Sequence, residues 1–421
     1  MKHNKLFTYS DKYDFEEYSN MCNFFSETKL TFIKNYKTEH LVSSYIFNYS
    51  MNRIPLGGRS TFRRLFGSLF DSSFSVKGNG KKCIVYTGGE TKREDYFAQV
   101  KSISSCWENS TLLAYGFNGK RIKLFRLFDI WVVFIWALEL NKHIHDYLTA
   151  LDMANIIYRN FKTAKNIYRY VRKNGIEKLI VFCDAWGIDN IIVQRAKLDG
   201  IKTATLQHGN GTDIMYSIDS DFFIANSKLS YLNLVNCHMD PRRIFIAGPI
   251  KYLGKNYKYR EYSPIRNIGI VFDGADNFEN NVEMLDIVHC AIQGDYKFFI
   301  RLHPNNKAED YNAHFVEQDI IDNDLEHFES NIDLCIVYNS SMYSDMIYRK
   351  IPTVRFKNNR IDLYPDVKDK GFSDFHELNE LLTEIYNNYK LFISGQQKIY
   401  NQIFGEDCNS QSYVRFLSEV F

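Results

Sequence analysis

Two histidines stand just beyond apolar runs, where an α/β chain places its reactive groups. Leu206 to Asp213 reads LQHGNGTD, so a β-branched run ends at His208, which is followed by Gly209 and Gly211. Glycine lets the backbone turn tightly and approach a ligand, while His208 and Asp213 can exchange protons with a hydroxyl or hydrogen-bond it. The same letters also suit a structural turn. In the second half, FFIRLHPNNK closes a run with Arg301, His303, Pro304 and Lys307. Three cationic or cation-capable groups then gather where an anion could bind, and Pro304 stops strand pairing and aims His303 outward. Next, CIVYNSSMYSDMIYRK sets Asn339, Ser340 and Ser341 at a helix start. Free N–H groups, hydroxyls and the helix dipole make such a terminus a ready phosphate site, and capping by one serine leaves the other to be explained.

Other acids are less specific. Asp184 follows KLIVFC and suits either loop capping or a ligand cleft, whereas Asp189 reads as the N-cap of the next helix. Phe272-Asp273-Gly274-Ala275-Asp276 offers an acid and a glycine that border a cleft or simply make a turn. Thr87-Gly88-Gly89-Glu90 lacks GxGxxG spacing and a well-placed acid for a dinucleotide ribose, which argues against NAD. No GxxxxGK[ST], HExxH or GxSxG is present, so a P-loop, a zincin and a hydrolase elbow have no motif support.

The elements that must position these residues follow from periodicity. From Lys82 onward, short β-branched runs alternate with longer amphipathic stretches, the pattern of parallel sheets with crossover helices. Strands are predicted at 83–87, 111–116, 178–183, 202–207, 221–226 and 243–248, with helices at 143–173 and 189–198. A basic, tyrosine-rich stretch between Pro249 and Pro264 reads as a linker. Strands resume at 267–272, 296–302, 334–338 and 353–356, with helices over 281–293 and from Ser341. The expected layout is an N-terminal extension (1–80), a Rossmann-like domain (81–250), a linker (251–265), a second Rossmann-like domain (266–400) and a C-terminal helix (401–421). The fold class is α/β, two Rossmann-like domains facing across a cleft, with ligands beyond the carboxyl ends of the strands.

Composition agrees with that scale. The 421 residues point to two domains or three small ones, and a net charge of +2 argues against a dedicated duplex-binding protein. Eight cysteines without a CxxC pair read as reduced thiols, and Cys183, Cys290 and Cys335 lie within apolar runs. The first residues show no secretory pattern, so a cytoplasmic location is expected. Ile130 to Leu138, IWVVFIWAL, falls far short of the roughly 20 residues that span a bilayer. With the basic flank KRIKLFR it makes either an interfacial helix carrying Trp131 and Trp136 or a buried core helix.

Taken in order, the QHG turn, the HP after a strand, the SS at a helix start and the following KIPTV resemble the GT-B glycosyltransferases of bacterial capsule and lipopolysaccharide synthesis. These include sialyltransferase and Kdo-transferase groups and the related CDP-glycerol glycerophosphotransferases. The closing FGEDCNSQSYVRFL is also similar, and the resemblance covers about residues 175–420. It implies a GT-B fold and a transfer of sugar from a CMP-, CDP- or UDP-linked donor to a glycan or lipid-linked acceptor, and no metal is expected because Arg301, His303, Lys307 and the helix terminus can supply the charge. No further cofactor and no nucleic-acid partner are expected, and the basic aromatic patch at residues 120–138 suits an acceptor on a lipid or growing glycan and peripheral contact with the inner membrane. The resemblance gives His303, Ser340 and Ser341 the donor phosphate. The acidic motif that holds the base in those groups is reduced here to Asp273-Gly274, so the base is sought among His208, Asp184 and Asp213, with Asp273 as outsider. A CDP-polyol phosphotransferase, a nucleotide-sugar 2-epimerase and a non-catalytic assembly protein are the alternatives.

Overall fold

The computed structural model describes residues 61, 62, 65, 73–87, 94–115, 120–123, 127–182, 187–207, 219–236, 239–253, 255–358, 362, 364–406, 408 and 411–421. The chain divides into two compact units, Met1–Gly254 with Cys408–Phe421, and Lys255–Asp407.

The first unit contains β1 (Ser73–Lys77), β2 (Lys82–Tyr86), α1 (Glu94–Cys106), β3 (Ser110–Tyr115), β4 (Lys120–Lys123), α2 (Leu127–Ile144), α3 (Tyr147–Lys173), β5 (Lys178–Val181), α4 (Gly187–Leu198), β6 (Lys202–Leu206), β7 (Phe222–Ala225), α5 (Lys228–Asn236) and β8 (Ile244–Ile246). The sheet order is β4-β1-β3-β2-β5-β6-β7-β8. From β3 to β8 every pair is parallel, as the alternating sequence predicts. Ser73–Lys77, inside the stretch expected to be an extension, is instead a strand running antiparallel between β3 and β4.

The helix expected at 143–173 starts four residues later, as α3 at Tyr147, and His143 and Ile144 end α2. His145 takes φ +56, and the Asp146 carboxylate accepts from Leu148 N, so α3 starts afresh with an N-cap. Asp189 is not the N-cap of α4 but lies inside its first turn, where it accepts a 2.6 Å hydrogen bond from Thr87. The C-terminal stretch is likewise broken: a helix ends at Phe404, Gly405 takes φ +86, and a short helix, α11 (Ser412–Arg415), continues as a π turn to Val420. That last segment packs Tyr413, Phe416, Leu417 and Phe421 into the core formed by Ile84, Leu112, Ala204 and Ile224.

The second unit contains β9 (Asn267–Val271), α6 (Phe278–Ala291), β10 (Lys297–Arg301), β11 (Asp319–Ile321), α7 (Leu325–Asn331), β12 (Leu334–Val337), α8 (Ser341–Tyr348), β13 (Thr353–Phe356), β14 (Gly371–Phe372), α9 (Phe375–Asn387) and α10 (Tyr389–Phe404). Its sheet is wholly parallel, ordered β11-β10-β9-β12-β13-β14. In order of appearance this is 3-2-1-4-5-6, the doubly wound arrangement whose direction reverses beside its first strand. Helices cover both faces, so the strands are apolar almost throughout: Ile268, Ile270, Ile300, Leu334, Ile336 and Val354 form the core. Gly269 permits one close approach, because a methyl there would lie 2.7 Å from Ile332 Cδ1 and from Phe328 Cζ.

Segment 255–266 belongs to this unit. Arg260 donates to Ile332 O and Glu329 O, and the Tyr262 ring meets Tyr386 edge to face and Tyr389 at a tilt. Among the described cysteines Cys83, Cys335 and Cys408 are buried and unbridged, and burial pushes the Cys408 thiol up to about 12. Cys290, expected within an apolar run, is exposed. No described helix is long and apolar enough to cross a membrane.

Candidate functional site

Because β10, β9, β12 and β13 are parallel neighbours, the loops that follow them meet along one edge of the second sheet. Leu302 and His303 leave β10, and Asn306 N–H closes a turn onto His303 O at 2.8 Å. Pro304 is exposed at the second position of that turn, where its fixed φ is favourable. His303 Nδ1 accepts the Asn305 backbone N–H at 3.2 Å. In a neutral ring the hydrogen therefore sits on Nε2, which makes that nitrogen a donor. Beside the ring stands Gly274, where a methyl would lie 3.8 Å from His303 Nδ1. Gly274 has φ −55, a value any residue adopts, so the backbone does not require glycine.

Asp273 anchors the loop between them. Its backbone N–H donates to Asn281 Oδ1, its carbonyl accepts from Asn281 and Asn306, and its carboxylate accepts from Gly274 N–H and Asn277 Nδ2. A directional chain ends there. Tyr338 OH donates to Asn358, Asn358 to Asn280, Asn280 to Asn277 and Asn277 to Asp273, at 2.9 to 3.1 Å. The ends of β9, β12 and β13 are thus tied by side-chain amides. Burial pushes the Asp273 carboxyl above its usual range, while Gly274 N–H and the nearby His303 pull against that shift.

Ser340 and Ser341 divide their tasks. Ser340 is buried and caps α8 by accepting Met342 N–H at 3.3 Å, whereas Ser341 is the exposed first residue of the helix. Asn339 is half-buried between β12 and α8. The cap is braced from below, since Tyr364 OH donates to Ser340 O at 3.0 Å. Tyr364 and Tyr343 flank the Arg355 guanidinium, with ring centroids 5.4 and 5.0 Å away. Arg355 grips Asp369 with two hydrogen bonds of 2.6 and 2.8 Å and also reaches Asp362. Tyr343 OH and Lys357 complete the Asp369 shell.

The expected cluster of three cations is not realised as written. Arg301 is half-buried and donates to Asn323 O at 2.6 Å, on the β11 side of β10, while His303 adjoins the β9 loop. Strand alternation would set residues 301 and 303 on one face, but the strand ends at Arg301 and the turn closed by Asn306 N–H onto His303 O takes His303 out of that alternation. Burial lowers the Arg301 pKa, with Asp322 and Asp324 acting in the opposite sense. Lys307 is exposed and precedes a short 3₁₀ turn at Ala308–Tyr311.

His208, Asp184 and Asp213 lie outside the described residues. Their surroundings are partly visible. Gln207, directly before His208, is buried, accepts from Asn226 N–H and donates to Ser230 at 2.8 Å. Sequence reading missed Asn277, Asn280, Asn281, Asn306, Asn358 and the Arg355 network. The run of asparagines just after two apolar strands and the arginine within TVRF were the available signals.

No protein-family model and no curated protein matches the chain. Among solved structures the chain is similar to S. aureus MnaA with UDP, at 10% identity, over 80% of this chain and 96% of that one, with a TM-score of 0.50. It is also similar to the glycosyltransferase SnogD from Streptomyces nogalater, at 8% identity, 80% and 98% coverage and a TM-score of 0.48. A third is the UDP-GlcNAc 2-epimerase from Neisseria meningitidis bound to UDP-GlcNAc, at 11% identity, 80% and 98% coverage and a TM-score of 0.47. With its two doubly wound sheets and the match to the first of these, the chain is an α/β protein of the GT-B fold.

Proposed function

We propose that the protein is a nucleotide-sugar-dependent glycosyltransferase whose second unit holds the donor. The observation that carries this reading is the pairing of His303, with Nε2–H as donor, and side-chain-free Gly274 at the strand end beside the switch point. His303 Nε2–H and the start of α8 at Ser340 and Ser341 donate to the donor's phosphates. They stabilise the charge that builds on the departing nucleotide. Asp273 holds the His303 side of the site in place through its five loop contacts. The acceptor hydroxyl gives its proton to a base of the first unit, drawn from His208, Asp184 and Asp213. The acceptor is a glycan or lipid-linked hydroxyl.

The test is calorimetric titration of CMP, CDP, UDP and GDP and their sugar conjugates into the whole protein. One nucleotide binds. His303→Ala weakens it about 10- to 100-fold, the value of a hydrogen bond to a charged group. Gly274→Ala leaves the unliganded melting temperature unchanged, since its φ and surroundings accept a methyl, yet weakens the same nucleotide. Turnover then requires an acceptor and releases the nucleotide intact. Turnover of the sugar nucleotide without an acceptor would replace transfer by epimerisation, and no binding of any nucleotide would end the reading.

A further inference from the structure

Helix α2 is apolar on the side it buries and on the side it shows. Ile130, Val133 and Ala137 are buried, while Trp131, Ile135 and Leu138, at i, i+4 and i+7 on the opposite face, are 69%, 62% and 57% exposed. Isolated exposed hydrophobic residues are ordinary, but a ridge of three that includes a tryptophan marks a surface that meets something apolar.

What it meets is indicated by charge. Residues 120–176, which hold β4, α2 and α3, carry eleven Lys and Arg against four Asp and Glu, whereas the entire chain has a net charge of only +2. From Met153 to Ile176 there is no acid at all. Along α3, Lys165, Arg169, Arg172 and Lys173 are exposed. The cationic part of α3 begins beside α2: the Trp136 and Tyr158 rings meet edge to face at 4.9 Å, and the Lys162 ammonium lies 5.9 Å from the Tyr158 ring centre. The ridge spans about 10 Å of helix, too short to cross a bilayer and suited to lie along one.

We propose that the α2 ridge and the α3 cations form a docking surface for an anionic bilayer, with Trp131, Ile135 and Leu138 entering the headgroup boundary while the cations hold the lipid charge. Tryptophan suits that depth, having an apolar body and a polar N–H. This inference stands apart from the donor site and makes no use of it.

The experiment is co-sedimentation of the full chain with vesicles of phosphatidylcholine alone and of phosphatidylcholine mixed with phosphatidylglycerol, at rising salt. The protein partitions onto the anionic vesicles, releases as salt rises, and its tryptophan emission shifts to the blue on binding. Trp131→Ser/Ile135→Ser weakens partition roughly ten-fold or more while keeping the melting temperature, since both side chains face solvent. Lys165→Gln/Arg169→Gln/Arg172→Gln removes the preference for anionic lipid. Absence of partition, or partition unaltered by the ridge variant, overturns the proposal. So does a dimer in lipid-free solution that the ridge variant dissolves, because a second copy would then be the occupant.

Discussion

Arg355 is a guanidinium in the middle of an apolar strand, and its partners account for that position. Asp369 is as deeply buried as the arginine, with both side chains 2% exposed. Burial alone would raise the Asp369 pKa, but the two Arg355 hydrogen bonds and Lys357 prevail and hold the carboxyl below its usual range. Removing one partner strands the other charge, so Asp369→Asn is expected to cost about 3–5 kcal/mol in urea unfolding at neutral pH. The sign of the pH effect follows from the lowered folded pKa. The contribution is present above the unfolded value near 4 and is lost as pH falls through the lower folded value. Wild-type stability should therefore decline more steeply below about pH 4 than that of Asp369→Asn. At this scale the turn that carries His303 beyond β10 was legible, because Pro304 stops the strand there. The partners of Arg355 were not, since Asp362 and Asp369 reach it only through the fold.

Elements depend on fit as much as on propensity. β9 and α7 approach across Gly269, where an added methyl would meet Ile332 and Phe328 at 2.7 Å. Gly269→Ala is thus expected to destabilise the second unit by about 1–3 kcal/mol through overpacking, measurable as a lowered thermal midpoint. Five-residue strands with three or four apolar residues, such as NIGIV and KCIVY, were readable because both faces are covered. β11 and β14, at three and two residues, are too short to carry a period, and β1 is hidden in a mixed polar and aromatic stretch. The break before α3 had a readable sign in Asp146 as an N-cap, but the apolar pattern continues on both sides and masked it.

The largest departure from the expected layout concerns the whole molecule, because its last segment belongs to the first unit. The Phe421 ring is 2% exposed, stacks on Phe416 at 5.5 Å and lies 5.6 Å from Trp107. Phe421→Ala is expected to cost about 3–5 kcal/mol. Followed by tryptophan emission, which comes from the first unit because all four tryptophans lie there, that unit should unfold at lower urea, while the transition of the second unit, followed by far-UV circular dichroism, stays in place. Equal shifts of both transitions would contradict the division. No pattern announces this return, since FGEDCNSQSYVRFL carries apolar letters but names no destination.

That return sets an order of events during synthesis. The second unit is one uninterrupted stretch of chain, so it can close as soon as it has left the ribosome. The first unit emerges earlier, yet its aromatic core stays open until Phe416 and Phe421 have been made. The unit translated earlier is therefore the later of the two to be completed, and until then it exposes apolar surface that a chaperone can hold.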